Sequence, residues 1–214
     1  MNPNKNDSCS LVGEKTGEDT IRYARAVLGN DDCIYAVSND DYIEAIVGNQ
    51  DYIVIKFDPR NESISYLGNE LNWDQICNGY EGSVLASDSN IYTANDFGQL
   101  LKLDILNSKV TLIGNQIHKE YGSGWGLPIL GADKCIYFPP FYHDRVLKFN
   151  PSTQEVSLVG DSFGKTRCKW YGAALTSDGF IYCIPYNAKQ VLRIDCRPVN
   201  GQILEVIERN QQRH

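Results

Sequence analysis

Residues 27–35 read VLGNDDCIY, 84–92 VLASDSNIY, 129–137 ILGADKCIY and 174–182 ALTSDGFIY. The four stretches align without a gap, and their starts lie 57, 45 and 45 residues apart. Each opens on an apolar residue and Leu, carries a central Asp (Asp31, Asp88, Asp133, Asp178) and closes on Ile-Tyr. An Asp side chain can bond the backbone two residues on, which favours a turn. Each stretch therefore reads as strand, tight turn, strand.

The pattern extends in both directions. Eleven residues before each Ile stands an aromatic: Tyr23, Tyr80, Trp125 or Trp170. A third strand follows each pair, at IKFDP (55–59), LKLDI (101–105), LKFNP (147–151) and LRIDC (192–196). A fourth ends on Gly in ISYLG (64–68), VTLIG (110–114) and VSLVG (156–160), and lacks the Gly in ILEVIE (203–208). Four short strands rich in Val, Ile, Leu and Tyr, joined by turn residues and repeated at this period, predict an all-β propeller of four-stranded antiparallel blades. The expected blades span 22–68, 79–114, 124–160 and 169–208 of one domain covering 1–214. CSLVG at 9–13 reads as one extra N-terminal strand, the fourth strand of an earlier blade. The chain is thus either a four-bladed ring with a spare strand or part of a larger ring.

The fourth copy, KWYGAALTSDGFIYCIPYNAKQVLRID at 169–195, resembles a repeat of propeller proteins from algae and other protists. Those repeats run Lys-Trp-x-Gly, then Gly-x-Ile-Tyr-x-Ile-Pro-x-Asn, then a strand ending Ile-Asp-Pro. The third copy matches more loosely, the second keeps the core, and the first is interrupted by an insertion near 38–53. The resemblance implies the fold and no particular reaction. Kelch-like and lyase-like propellers share the architecture, and fold does not fix function.

Composition narrows the function classes. A net charge of −7 argues against a nucleic-acid partner, since phosphate binding needs a basic face. No apolar run reaches the length of a membrane span. The N-terminus carries no apolar signal region, which predicts a cytoplasmic location for a complete chain. Seven cysteines without a C-x-x-C pair predict neither a zinc site nor a disulfide framework, and no metal or cofactor is expected. Cys33 and Cys135 share one repeat position and read as buried, reduced strand residues.

Loops after the second and fourth strands are long and varied, so a site is expected on that face. The aromatics Tyr23, Tyr80, Trp125 and Trp170 enter the inner strands from it, either ringing the channel mouth or packing between blades. The second reading suits a feature repeated in every blade. Lys56, Lys102, Lys148 and Arg193 recur in strand three and read as a paired surface row. PPFYHDR at 139–145 is the richest cluster, with Phe141, Tyr142, His143 and Arg145 as candidate binding residues. His143 could serve as a general base beside Asp144. Lys169 and Asn187 complete the binding candidates, and no catalytic residue is assigned.

The absence of nucleophile, metal and phosphate motifs predicts a non-catalytic propeller, serving as a protein-binding scaffold or a subunit of a larger assembly. Its partner would cover the long-loop face or an exposed blade edge, through the insertion at 38–53 and the loop at 139–145. Two alternatives stand beside it. One is a propeller hydrolase or lyase acting on a small molecule or sugar at the channel mouth. The other is a lectin-like glycan- or peptide-binding module.

Overall fold

The computed structural model describes residues 9–13, 23, 25–38, 53–69, 71, 80–117 and 124–198. Among these there is no helix, and the strands fall into four separate antiparallel sheets. The first sheet is β1 (Val27–Leu28), β2 (Ile34–Val37), β3 (Val54–Asp58) and β4 (Ser63–Leu67). The second is β5 (Val84–Leu85), β6 (Ile91–Ala94), β7 (Leu100–Asp104) and β8 (Lys109–Ile113). The third is β9 (Ile129–Leu130), β10 (Ile136–Phe138), β11 (Val146–Asn150) and β12 (Glu155–Val159). The fourth holds β13 (Trp170–Leu175), β14 (Phe180–Pro185) and β15 (Leu192–Asp195). The strands of each sheet neighbour one another in chain order. The first strands pack side by side, β1 on β5, β5 on β9 and β9 on β13, so they form the inner wall. This is a β-propeller.

The repeated Asp explains three other repeated residues. Asp31 Oδ1 accepts the Cys33 N–H at 3.2 Å, which closes the turn. Asp31 Oδ2 accepts the Tyr35 phenol at 2.8 Å and the Lys56 ammonium at 3.0 Å. Asp133 repeats the set with Cys135 N, Tyr137 and Lys148 at 3.1, 2.9 and 2.9 Å. Asp88 takes Asn90 N and Tyr92 but leaves Lys102 to Asp104 at 4.0 Å. The strand-three lysines of the first three blades are thus paired inside their own sheets. The residue that ends each turn has positive φ: Asp32 (62°), Ser89 (67°), Lys134 (65°) and Gly179 (83°). Only the fourth copy places there the residue that adopts this conformation without strain.

Blade packing follows from the period-two alternation of side chains. The Tyr of the first three Ile-Tyr pairs faces the next blade, and the Ile of the last three faces the previous one. Tyr35 shares a core with Ile91, Leu103 and Val110 of the second blade. Tyr92 packs with Ile136 and Phe149, its ring centroid 5.0 Å from that of Phe149. Tyr137 packs with Ile181 and Ile194. Cys33 and Cys135 are buried and free.

Residues 9–13 differ from the sequence expectation, since they form no strand. Gly13 lies over the side chains of Phe57 and Ile64, beside the backbone carbonyl of Glu62. The expected last strand at 203–208 and most of the insertion at 38–53 lie outside the described residues.

Candidate functional site

The repeated aromatics are walls of the site rather than its lining. Tyr80, Trp125 and Trp170 are buried, and Tyr23 is half-buried with its phenol pushed up to about 12 by burial and by Tyr66. Trp125 Nε1 donates to Arg145 O and Trp170 Nε1 to Gln190 O, each at 2.8 Å. Each indole thus holds the loop between strands two and three of its own blade. That equivalence is structural, and it sets the height of the loop that carries His143.

The 139–145 loop is fastened at several points. Gly124 O accepts the N–H groups of Tyr142 and His143 at 2.9 and 3.1 Å. The His143 ring stacks on Trp125 at 4.4 Å between centroids, 24° from parallel. His143 Nδ1 accepts the Arg145 N–H at 3.0 Å. The Asp144 Oδ1 lies at 3.4 Å from the same nitrogen. The shorter, directed backbone bond governs the neutral ring and leaves its proton on Nε2. A neutral ring so held presents Nε2–H as a donor. Asp144 Oδ2 accepts the Ser162 hydroxyl at 2.6 Å, and that bond, with His143 and Arg145 nearby, holds its carboxyl below the usual range despite some burial.

Lys169 is only 2 % exposed. Its Nζ donates to Thr166 O at 2.6 Å and Tyr142 O at 3.3 Å, stitching the fourth blade's entry to the 139–145 loop. Burial pushes its ammonium below the usual lysine range, against the pull of Asp144 and Cys168. Phe141 lies against Tyr142, Tyr171 and Tyr186, with centroids at 4.7, 5.1 and 5.8 Å. Arg145 and Asn187 are exposed, Asn187 donating its backbone N–H to Cys168 O.

Three site residues escaped the sequence reading. Tyr171 donates its phenol to Glu81 Oε2 at 2.7 Å, from the fourth blade to the second. Burial and that carboxylate push the phenol up to about 12, with Arg25 pulling the other way. Asp96, from the loop after β6, lies against Gly124, where a Cβ would fall 2.1 Å from its Oδ1. The residue after each recurring aromatic differs from copy to copy, Ala24, Glu81, Gly126 or Tyr171, so the repeat gives no sign of Glu81 or Tyr171. Among the described residues no three His, Cys, Asp or Glu side chains are grouped to hold a metal.

No protein-family model matches the sequence, and no curated protein matches it. Solved structures share the fold. Virginiamycin B lyase from Staphylococcus aureus aligns with a TM-score of 0.60 at 12 % identity, over 79 % of this chain and 50 % of that one. A catalytically inactive histidine-to-alanine variant of that lyase, solved with Quinupristin, aligns with a TM-score of 0.59 at 11 % identity, over 83 % and 57 %. An auxiliary nutrient binding protein from Bacteroides thetaiotaomicron aligns with a TM-score of 0.55 at 8 % identity, over 81 % and 44 %. The chain spans about half the length of the structures it matches. The expectation of a non-catalytic scaffold is corrected by this comparison, because structures that share the fold include propeller lyases.

Proposed function

We propose that this propeller acts on a small molecule or sugar at the channel mouth, as a lyase or hydrolase. The observation that carries the reading is contact between three blades: Tyr171 of the fourth bonds to Glu81 of the second and lies against Phe141 of the third, and Lys169 of the fourth bonds to Tyr142 O of the third. The fold of virginiamycin B lyase and the inactivity of its histidine variant support it.

In an elimination of this kind, a base takes a proton from the carbon beside an activating carbonyl. The bond to the leaving oxygen on the adjacent carbon breaks, and an acid returns a proton to that oxygen. Glu81 is the carboxylate placed at the mouth, oriented by the Tyr171 phenol on Oε2. His143, with its proton on Nε2 and its ring fixed on Trp125, suits hydrogen-bond donation to the oxygen on which negative charge develops, while the protonated Glu81 carboxyl returns its proton to the leaving oxygen. Phe141 and Tyr142 supply apolar surface for the rest of the ligand.

The test is incubation of the protein with Quinupristin and with a set of sugar lactones, followed by mass spectrometry. Ring opening by elimination leaves the mass unchanged, whereas hydrolysis adds one water. Conversion of a panel compound that is lost in Glu81→Gln supports the reading. Conversion that is untouched by Glu81→Gln, or no conversion of any compound, overturns it.

A further inference from the structure

The two end faces of this blade series repeat the two sides of the internal blade interface. Ile91, Leu103 and Val110 stand in cross-strand register on the second blade, and each is 0 % exposed under the Tyr35 face of the first. Their counterparts on the first blade are Ile34, Phe57 and Ile64, in the same register. Ile34 is 36 % exposed and its neighbour Leu28 is 59 % exposed. At the other end, Tyr182 is the counterpart of Tyr35, Tyr92 and Tyr137, all of which are buried between blades. On its side of the fourth blade, Ile184 is 63 % exposed and Val191 52 %. Apolar faces of this kind signal an interaction surface.

Residues 9–13 add a second, independent sign. A Cβ on Gly13 would lie 3.4 Å from Ile64 Cδ1, the second residue of β4. Gly68, which follows the fourth strand of the first blade, meets Val110 of the second blade at 3.4 Å in the same way. Gly114 meets Val156 of the third at 3.6 Å. Val110 and Val156 are the second residues of β8 and β12. Gly13 therefore stands where the fourth strand of a preceding blade would end. Leu11 and Val12, just before it, are 104 % and 50 % exposed.

We propose that two copies of this chain join head to tail, the Tyr182 face of each packing on the Ile34 face of the other, to close one ring of eight blades. Residues 9–13 of one copy then take the outer place along β15 of the other, in place of the 203–208 stretch expected there, which lacks the closing Gly that Gly13 supplies. The faces are complementary by construction, since the chain already makes this interface three times within itself. A head-to-tail interface yields a closed ring when its rotation completes the circle, and propellers of up to about eight blades are ordinary. The register of β11 with β12 pairs Lys148 with Ser157. By repeat equivalence, Ser10 stands opposite Arg193 of the partner subunit. This inference does not depend on the chemistry at the mouth.

Light scattering on the full chain tests it first. The expected mass is twice the 24.1 kDa of one chain. Ile34→Asp should give the single-chain mass with an unchanged circular dichroism spectrum, because Ile34 lies outside the internal blade interfaces. The second arm is Ser10→Cys with Arg193→Cys in a Cys9→Ser background, run on a non-reducing gel. A disulfide-linked pair of chains is expected. A single-chain mass for the unaltered protein, an open-ended series of larger masses, or a disulfide within one chain would each overturn the proposal.

Discussion

Tyr171 and Glu81 lie 90 residues apart in the chain, and the phenol donates to the carboxylate at 2.7 Å. The bond links the fourth blade to the second, skipping the third. Between them Gly126 lets the inner strands close up, since a Cβ there would fall 2.4 Å from Tyr171 O. Removing the phenol leaves a carboxylate without its donor. A hydrogen bond to a charged group contributes about 1.5–3 kcal/mol, and Tyr171 is half-buried. Tyr171→Phe is expected to lose about 1–2 kcal/mol in denaturant unfolding, with a larger proportional loss of turnover at the mouth. Unchanged stability and turnover would remove this bond from the account.

Acid should weaken the blades through their turn carboxylates. Burial alone would raise the Asp31 carboxyl, but the bonds from Lys56, Tyr35 and Cys33 prevail and hold it at about 2, against an ordinary 3.8. Asp133 is lowered by the matching set, again against burial. A depressed carboxylate contributes stability that is present above its unfolded value and lost as pH falls through its folded one. The loss attributed to Asp31 therefore falls between pH 3.8 and about 2. The raised Lys56 and Lys148 stay charged throughout that window. Unfolding free energies measured from pH 5 downward should fall steeply there. The paired Asp31→Asn and Asp133→Asn variant should start lower at neutral pH and show a flatter acid limb. An acid limb identical to that of the unaltered protein would contradict the assignment.

The His143 tautomer is measurable on its own. The backbone bond from Arg145 at 3.0 Å predicts that the neutral ring carries its proton on Nε2. Nitrogen-resolved NMR of labelled histidine should show a protonated Nε2 and an unprotonated Nδ1 at a pH where the ring is neutral. The reverse pattern would mean that the Asp144 contact governs the ring, and would return His143 to the base role.

Trp125 carries both the loop and the ring that stacks on it. Trp125→Ala and Trp170→Ala each empty a buried indole site, for which about 3–5 kcal/mol is lost. Both variants should melt well below the unaltered protein. Melting at the native temperature would mean that these indoles do not pack between blades.

The fold was legible because its determinants are local and repeated. Asp31, Asp88 and Asp133 each fix a turn whose partners lie two and four residues on, so the signal recurs in the sequence at constant spacing. The function of the strand-three lysines was also legible, as pairing within a sheet. The site was legible only in part. His143 and Lys169 stood out by type, but Glu81 and Tyr171 meet only when the blades close. Which nitrogen of His143 carries the proton depends on a backbone N–H two residues away, which residue identity does not reveal. The scaffold expectation failed for a related reason. It rested on the absence of linear motifs, whereas a propeller gathers its chemistry from several blades.

The most direct test of the central claim is the initial rate of His143→Ala on whichever panel compound the protein converts. The account expects a properly folded variant, since the half-buried ring stacks on Trp125 without filling the blade core. Loss of one preorganised donor to developing charge costs about 10²–10³-fold, so the rate should fall by at least about two orders of magnitude. A variant that keeps its circular dichroism spectrum and the full rate would contradict the channel mouth as the catalytic site.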